Sequence, residues 1–161
     1  MQKVFITGIA GFLGSHLAKK MFEAGWLVAG NDNFIGSDRC NLHEFVEFFD
    51  IDCCDLDGMQ EAMMGSDLVF HCAATAHEGL SVFSPSFITK NNYEASVSTF
   101  TAAINCGVQR IVFCSSMARY GDQVTPFTEE MRPKPIDPYG IAKYAAEETL
   151  RVLCDVHGVQ W

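Results

Sequence analysis

Apolar residues along this chain come in short, unalternating runs separated by stretches of helical spacing. The runs "KVFIT" (3–7), "WLVAGN" (26–31), "FVEFFDI" (45–51), "DLVFHCA" (67–73) and "RIVFCSS" (110–116) are rich in Val, Ile and Phe. Runs without polar alternation suit strands covered on both faces, as in a parallel sheet. Helical stretches are predicted at about 12–24, 56–64, 87–106 and 138–157. In the third, Ile88, Ala95, Val97 and Ala102 among polar residues make a weak amphipathic stripe. Strand alternating with helix predicts an α/β fold with a doubly wound parallel sheet, in one domain over residues 1–161. After the last helix, Gly158 reads as a C-cap and "HGVQW" opens what reads as a sixth strand. The expectation is an N-terminal part of a longer chain, its substrate domain lying beyond these residues.

Composition narrows the function classes. A chain of 161 residues with 48% apolar content can bury one sizeable core. No apolar run reaches the roughly 20 residues that span a bilayer, and "MQKVFITG" lacks a signal-peptide layout, so no membrane partner is expected. A net charge of −9 repels polyphosphate backbones and argues against nucleic acid. The seven cysteines form no Cys-x-x-Cys and mostly sit in apolar stretches. They read as buried free thiols of a cytoplasmic protein. The five histidines show no His-x-x-x-His pair, so no metal site is expected.

Two stretches carry chemistry. "TGIAGFLG" (7–14) places Gly8, Gly11 and Gly14 between a strand and a helix, with Phe12 and Leu13 at the helix start. Such a turn is tight, lets backbone approach a pyrophosphate, and offers the helix N-terminus to it. Asp32, at the end of the second strand, can accept both hydroxyls of an adenosine ribose and would repel a 2′-phosphate, which favours NAD over NADP. A glycine-rich turn with an N-capping Asp would look the same by itself. "PYGIAKYAAE" (138–147) sets Tyr139 and Lys143 four residues apart on one helix face. A free phenol has a pKa near ~10. An ammonium at roughly 5 Å, with an effective dielectric of about 20, would stabilise the phenolate by about 3 kcal/mol, around two pKa units. Ser116, at the C-terminal end of the fifth strand, stands where open α/β sheets place ligands.

The glycine spacing, with "DNFIGSDRCNL", "VFHCAA", "NNYEASVSTFTAA", "VQRIVFCSSMARYGD" and "PYGIAKYAAE" following in order, resembles the extended short-chain dehydrogenase/reductase family over essentially the whole chain. It is most similar to the nucleotide-sugar 4-epimerases of the UDP-galactose type. The resemblance implies a Rossmann fold, NAD as cofactor and a nucleotide sugar as substrate. It implies that Ser116, Tyr139 and Lys143 form a catalytic triad and that Asp32 and Asn33 bind the adenosine ribose. Asp52 and Cys53 would border the adenine, and Ala73 and Ala74 would line the cofactor backbone with Asn92 nearby. In relatives such helices, at about 87–106 and 138–157, pack a homodimer; Ala95, Ala102, Ala103, Ala145 and Ala146 would permit that close packing, and helix–sheet packing within one chain explains them equally. Sugar-nucleotide dehydratases of the family carry an Asp-Glu pair after the catalytic hydroxyl; here Met117 and Ala118 stand there, against dehydration. Some epimerases carry a lysine where Ala76 stands, so contacts in that loop are expected to differ. A reductase or decarboxylase, or a non-catalytic NAD-binding sensor, stays open at this point.

Overall fold

The computed structural model describes all residues, Met1–Trp161. Five parallel strands, β1 (Lys3–Thr7), β2 (Leu27–Asn31), β3 (Glu47–Phe49), β4 (Leu68–His71) and β5 (Arg110–Phe113), form one sheet in the order β3-β2-β1-β4-β5. The helices are α1 (Phe12–Glu23), α2 (Leu56–Met63), α3 (Glu78–Ser81), α4 (Pro85–Thr89), α5 (Ala95–Asn105) and α6 (Pro138–His157). The strand order reverses between β1 and β4, which opens a crevice at their C-terminal ends.

Alternate residues of β1 serve opposite faces of the sheet. Phe5 packs in a cluster with Met59 and Met63 of α2, Phe100 of α5 and Leu150 of α6. Val4 and Ile6 pack with Ala18 of α1 and with Val28. This is the two-faced parallel layering that the unalternating apolar runs predict, and the Rossmann fold that the resemblance implies. Cover is thinner on the α1 side of β4 and β5, where Leu68, Phe70 and Val112 are only partly buried.

Four expectations change. The run at 45–51 gives only the three-residue β3, and "HGVQW" contributes one bridge, Gln160 to Arg110, in place of a strand. The helix expected over 87–106 is built as α4, a five-residue π turn (Lys90–Glu94) and α5. Within that turn the side-chain amides of Asn91 and Asn92 take the carbonyls of Phe87 and Ile88, at 2.8 and 2.9 Å. Ala95, Ala102, Ala103 and Ala146 are buried in the core of this chain, where helix-on-sheet packing accounts for their small size. Only Cys53 and Cys154 are buried; Cys40 is exposed and the other four are partly exposed. No helix is long and apolar enough to cross a membrane.

One buried polar chain fastens the crevice. Ser96 has a single hydroxyl hydrogen, and it goes to the Asn92 carbonyl. Its lone pair therefore faces His71 Nε2, 2.8 Å away, which must carry the ring proton. His71 Nδ1 then accepts from the Thr7 hydroxyl at 2.7 Å, and Thr7 in turn accepts from the Ala73 N–H at 3.1 Å. Every donor in the chain has one acceptor, and the imidazole is neutral. Burial, with the Lys143 charge adding to it, pushes His71 down to about 3. Phe100 and Phe113 flank the ring at 5.5 and 5.6 Å. β1, β4 and α5 are thus tied together directly below the glycine turn.

A histidine held neutral in the fold but free to protonate when unfolded withdraws stability as pH falls through its ordinary value of ~6.5. Stability should be full above that value and should fall by about 2 kcal/mol between pH 7 and 5, continuing down toward about pH 3. Urea unfolding across this range should show that slope in the parent and lose it in His71→Gln. Equal slopes in both would overturn the neutral-histidine assignment.

Candidate active site

The crevice begins where β1 ends. After Thr7 the backbone turns through Gly8 at φ +67°, a left-handed conformation that side chains disfavour. A Cβ on Gly8 would stand 2.9 Å from the Ala73 backbone, so β1 and β4 meet there with no side chain between them. A Cβ on Gly14 would overlap the Gly8 carbonyl, which seats the first turn of α1 on the loop. Gly11, the N-cap residue, offers no side chain, and the first turn holds no acidic residue. The N–H groups of Phe12, Leu13 and Gly14 find no acceptor in the chain. Three free donors at the positive end of a helix dipole suit a diphosphate. Phe12 and Leu13 contribute backbone, since their side chains are largely exposed.

A cavity of about 270 Å³ opens from this turn. Its wall includes Gly8, Gly11, Asp32, Asn33, Asp52, Cys53, Ala73 and Ala74, eight of the residues that the sequence singles out. Asp32 is buried and already engaged: Oδ2 accepts from the Ala10 N–H at 3.0 Å, and Oδ1 from the Phe34 N–H at 2.9 Å and the Ser37 hydroxyl at 2.7 Å. A carboxylate has about four acceptor positions. Three are taken, so Asp32 keeps room for one ribose hydroxyl, not two. The same bonds hold Phe34 at φ +59°, with the Arg39 guanidinium 4.1 Å above its ring. Asn33 donates to Asp52 at 2.8 Å, and the Cys54 N–H donates to it at 2.8 Å. Burial alone would raise the Asp52 carboxyl, but these hydrogen bonds outweigh it and hold the group below its usual range. Burial pushes the Cys53 thiol up to about 11, so it borders the cavity as a neutral group. Asn31, also on the wall, keeps a buried side-chain oxygen without any partner. Free amides, a bridging carboxylate and an unsatisfied acceptor fit the diphosphate, ribose and base of a dinucleotide.

Ser116, Tyr139 and Lys143 lie off this wall, at the neighbouring ends of β5 and α6. Ser116 caps a single 3₁₀ turn, Met117–Tyr120, by accepting from the Ala118 N–H at 3.1 Å. Asp137 caps α6 by accepting from the Gly140 N–H at 2.8 Å, and Pro138 supplies the first helical φ. A Cβ on Gly140 would meet the Ala118 carbonyl at 2.7 Å, so this glycine lets α6 dock against the turn carrying Ser116. Glu147 locks the junction by pairing with Arg119 and accepting from the Ser115 hydroxyl at 2.8 Å. Tyr139 packs with Ile88 and Ala118. Ala118 is therefore filling a hydrophobic contact where a dehydratase would place an acid.

The electrostatics depart from the sequence expectation. Lys143 is only 2% exposed, and its ammonium donates to the Cys114 carbonyl at 2.7 Å and lies 4.6 Å from the Phe113 ring centre. Burial lowers it to about 8. The Tyr139 phenol is raised, by burial first and by Glu78 and Asp137 in addition, while the nearby Ser116 hydroxyl opposes them. The expected lowering by Lys143 is absent because the lysine is anchored to the end of β5. Without another positive charge, Tyr139 stays a phenol.

Asn92 also departs from expectation. Its amide is spent on the Thr75 N–H and carbonyl, at 3.1 and 3.3 Å, and on Ile88, so it positions the loop after β4 from below. Asn91 reaches the cavity wall in its place, together with Ser37, Thr75, Ala76 and His77. Both asparagines lie in the π turn, which no periodicity in the sequence signals.

Comparison with known proteins agrees with this geometry. The model of the NAD dependent epimerase/dehydratase family matches residues 4–161. A UDP-glucose 4-epimerase from Streptomyces lividans is 32% identical over 98% of this chain and 49% of its own length. Among solved structures, the Thermus thermophilus UDP-glucose 4-epimerase complexed with NAD superposes with a TM-score of 0.94 at 32% identity, over 99% of this chain and 53% of that one. The Thermotoga maritima UDP-glucose 4-epimerase with UDP-glucose gives 0.93 at 34%, over 98% and 53%. The chain spans about half the length of these relatives. With its glycine turn, the Asp32 carboxylate and the Ser–Tyr–Lys edge in order, and a family match over residues 4–161, it belongs to the NAD dependent epimerase/dehydratase family.

Proposed function

We propose that the protein is an NAD-dependent 4-epimerase of UDP-hexoses. The observation that carries this is the docking of the start of α6, with Tyr139, on the turn that Ser116 caps, backed by Lys143, at a sheet edge next to a cavity that suits a dinucleotide. Relatives named UDP-glucose 4-epimerases, and neighbours complexed with NAD or UDP-glucose, support the substrate and cofactor. The missing Asp-Glu pair speaks against elimination.

Bound NAD⁺ would supply a hydride acceptor and a positive ring. The chain's residues do the rest. The amides of Phe12, Leu13 and Gly14 hold the diphosphate, and Asp32 takes one ribose hydroxyl. Asn33 braces Asp52 beside the base, with Cys53, and Ala73 and Ala74 leave room for the cofactor's backbone. Ser116 orients the C4 oxygen, and Tyr139, as phenolate, takes the C4 hydroxyl proton while the C4 hydride departs. The 4-keto sugar turns over and regains hydride on its other face as Tyr139 returns the proton. Lys143 is the positioned cation behind the phenol. We assign residues 1–161 as the cofactor half of a larger protein whose further chain covers Leu68, Phe70 and Val112 and supplies the sugar site. Seven free cysteines favour a reducing compartment, the cytoplasm. A homodimer would use the exposed Ile141, Val152 and Val156 of α6 with Phe87 of α4.

In the full-length protein, Tyr139→Phe should cut UDP-galactose to UDP-glucose conversion by about 10²–10⁴-fold, the usual weight of a general acid/base. Undiminished turnover would overturn the assignment. Ultraviolet titration without cofactor, differenced between parent and Tyr139→Phe, should place this phenol above its ordinary ~10. A titration at neutral pH would contradict the account of its environment. Calorimetry should give NAD⁺ binding roughly 100-fold tighter than NADP⁺, since one unit charge at about 5 Å and an effective dielectric of about 20 is worth about 3 kcal/mol. Equal affinities would remove Asp32 from the ribose.

A further inference from the structure

β4 and β5 are in parallel register up to His71 and Phe113, and the ladder continues with the Cys114 N–H donating to the His71 carbonyl at 3.1 Å. The next pair along the two strands is Cys72 and Cys114. Adjacent strands run about 4.8 Å apart, inside the Cα separation that a disulfide accepts. The two sulfurs lie 3.7 Å apart. Cys72 is on the cavity wall, which gives a small oxidant a route to the pair, and the carbonyl of Cys114 is the anchor of Lys143. We propose that Cys72 and Cys114 close a reversible disulfide that weakens the cofactor site, with a peroxide or a low-molecular-weight disulfide as oxidant.

Their surroundings suit the chemistry. The Cys114 thiol is lowered to about 7, first by the hydrogen bond it shares with Cys72 and then by Lys143, with burial opposing, while Cys72 is pushed well above the usual range and stays a thiol. Attacking thiols work best with a pKa near the ambient pH. With hydrogen peroxide, the Cys114 thiolate attacks one oxygen; an S–O bond forms, the O–O bond breaks and hydroxide leaves. Cys72 sulfur then attacks Cys114 sulfur; the S–S bond forms, the S–O bond breaks, and the departing hydroxide takes the Cys72 proton as water. Two thiols and one peroxide give one disulfide and two waters. Closing the gap from 3.7 Å to about 2.05 Å draws in the cavity wall at Cys72. It also removes the anionic partner that supports the charge on Lys143.

The chemistry of the pair stands apart from the proposed function, whereas its effect on NAD⁺ rests on that reading. Purified full-length protein treated with hydrogen peroxide should lose about 2 Da and yield a cross-link between tryptic peptides 40–90 and 111–119. The link should vanish with dithiothreitol and be absent from Cys72→Ser and from Cys114→Ser. NAD⁺ affinity should drop roughly tenfold on oxidation, recover on reduction, and be insensitive to peroxide in Cys114→Ser. Sulfinic acid at Cys114 without a cross-link, or a link from Cys114 that persists in Cys72→Ser, would overturn the proposal. So would a cross-link that leaves NAD⁺ affinity unchanged. If the reduced protein binds no NAD⁺ at all, the proposed function fails, and the cross-link alone then decides whether the pair is a redox site.

Discussion

Everything at the crevice depends on two backbones approaching each other at Gly8 and Ala73 with nothing between them. The parallel sheet brings β1 and β4 side by side, but only a glycine in the left-handed region can turn the chain there and start α1 within hydrogen-bonding range of a diphosphate. This contact would be fragile if backbone alone held it. The Thr7–His71–Ser96–Asn92 chain supplies the second fastening, and Asn92 carries it on to Thr75, so turn, strand end and loop move as one body. Buried polar chains rigidify only when every member is satisfied. That condition is met because the ring is neutral and each hydroxyl passes its one hydrogen in the same direction.

At the other end of the site, burial and charge pull against each other. Spacing along α6 suggests that Lys143 lowers the Tyr139 phenol by proximity. Burial is the larger effect, and it drives both groups toward their uncharged forms. The lysine answers by donating to a strand-end carbonyl, which orders it without forming an ion pair with the phenol. At about 8 the lysine is still mostly charged at neutral pH, so the carbonyl offsets part of the several kcal/mol that an unpaired buried charge costs.

How much of this was legible in the sequence follows from how local each feature is. The five strands and the glycine turn could be read because each depends on residue types within one run: Val4, Phe5 and Ile6 are buried wherever a two-faced strand is built. The starts of α1 and α6 are equally plain from the glycine turn and from Pro138, whereas the Asp137 cap emerges from the structure. Eight of the residues on the cavity wall are legible in the sequence, since strand ends in an open α/β sheet converge by topology. What stayed hidden depends on three-dimensional context. Asn91, not Asn92, stands on the wall; both lie in the π turn at 90–94, and no residue pattern announces an extra residue in a helical turn. The saturation of Asp32 by Ala10, Phe34 and Ser37, and the pairing of Cys72 with Cys114 across 42 positions, need the register of neighbouring strands.

These features give the site a conditional character. With the phenol and the lysine both biased toward neutrality, the folded chain holds no ready base at Tyr139. On the proposed epimerase reading, a cationic cofactor ring held next to the phenol would supply the missing element, so base strength would follow cofactor binding and proton removal would wait for a hydride acceptor. A 4-keto sugar would then form only where hydride can return to it. The cysteine pair sits at the hinge of this coupling, one sulfur on the cofactor wall and the other's carbonyl on the lysine. A change in that pair would reach cofactor and base together.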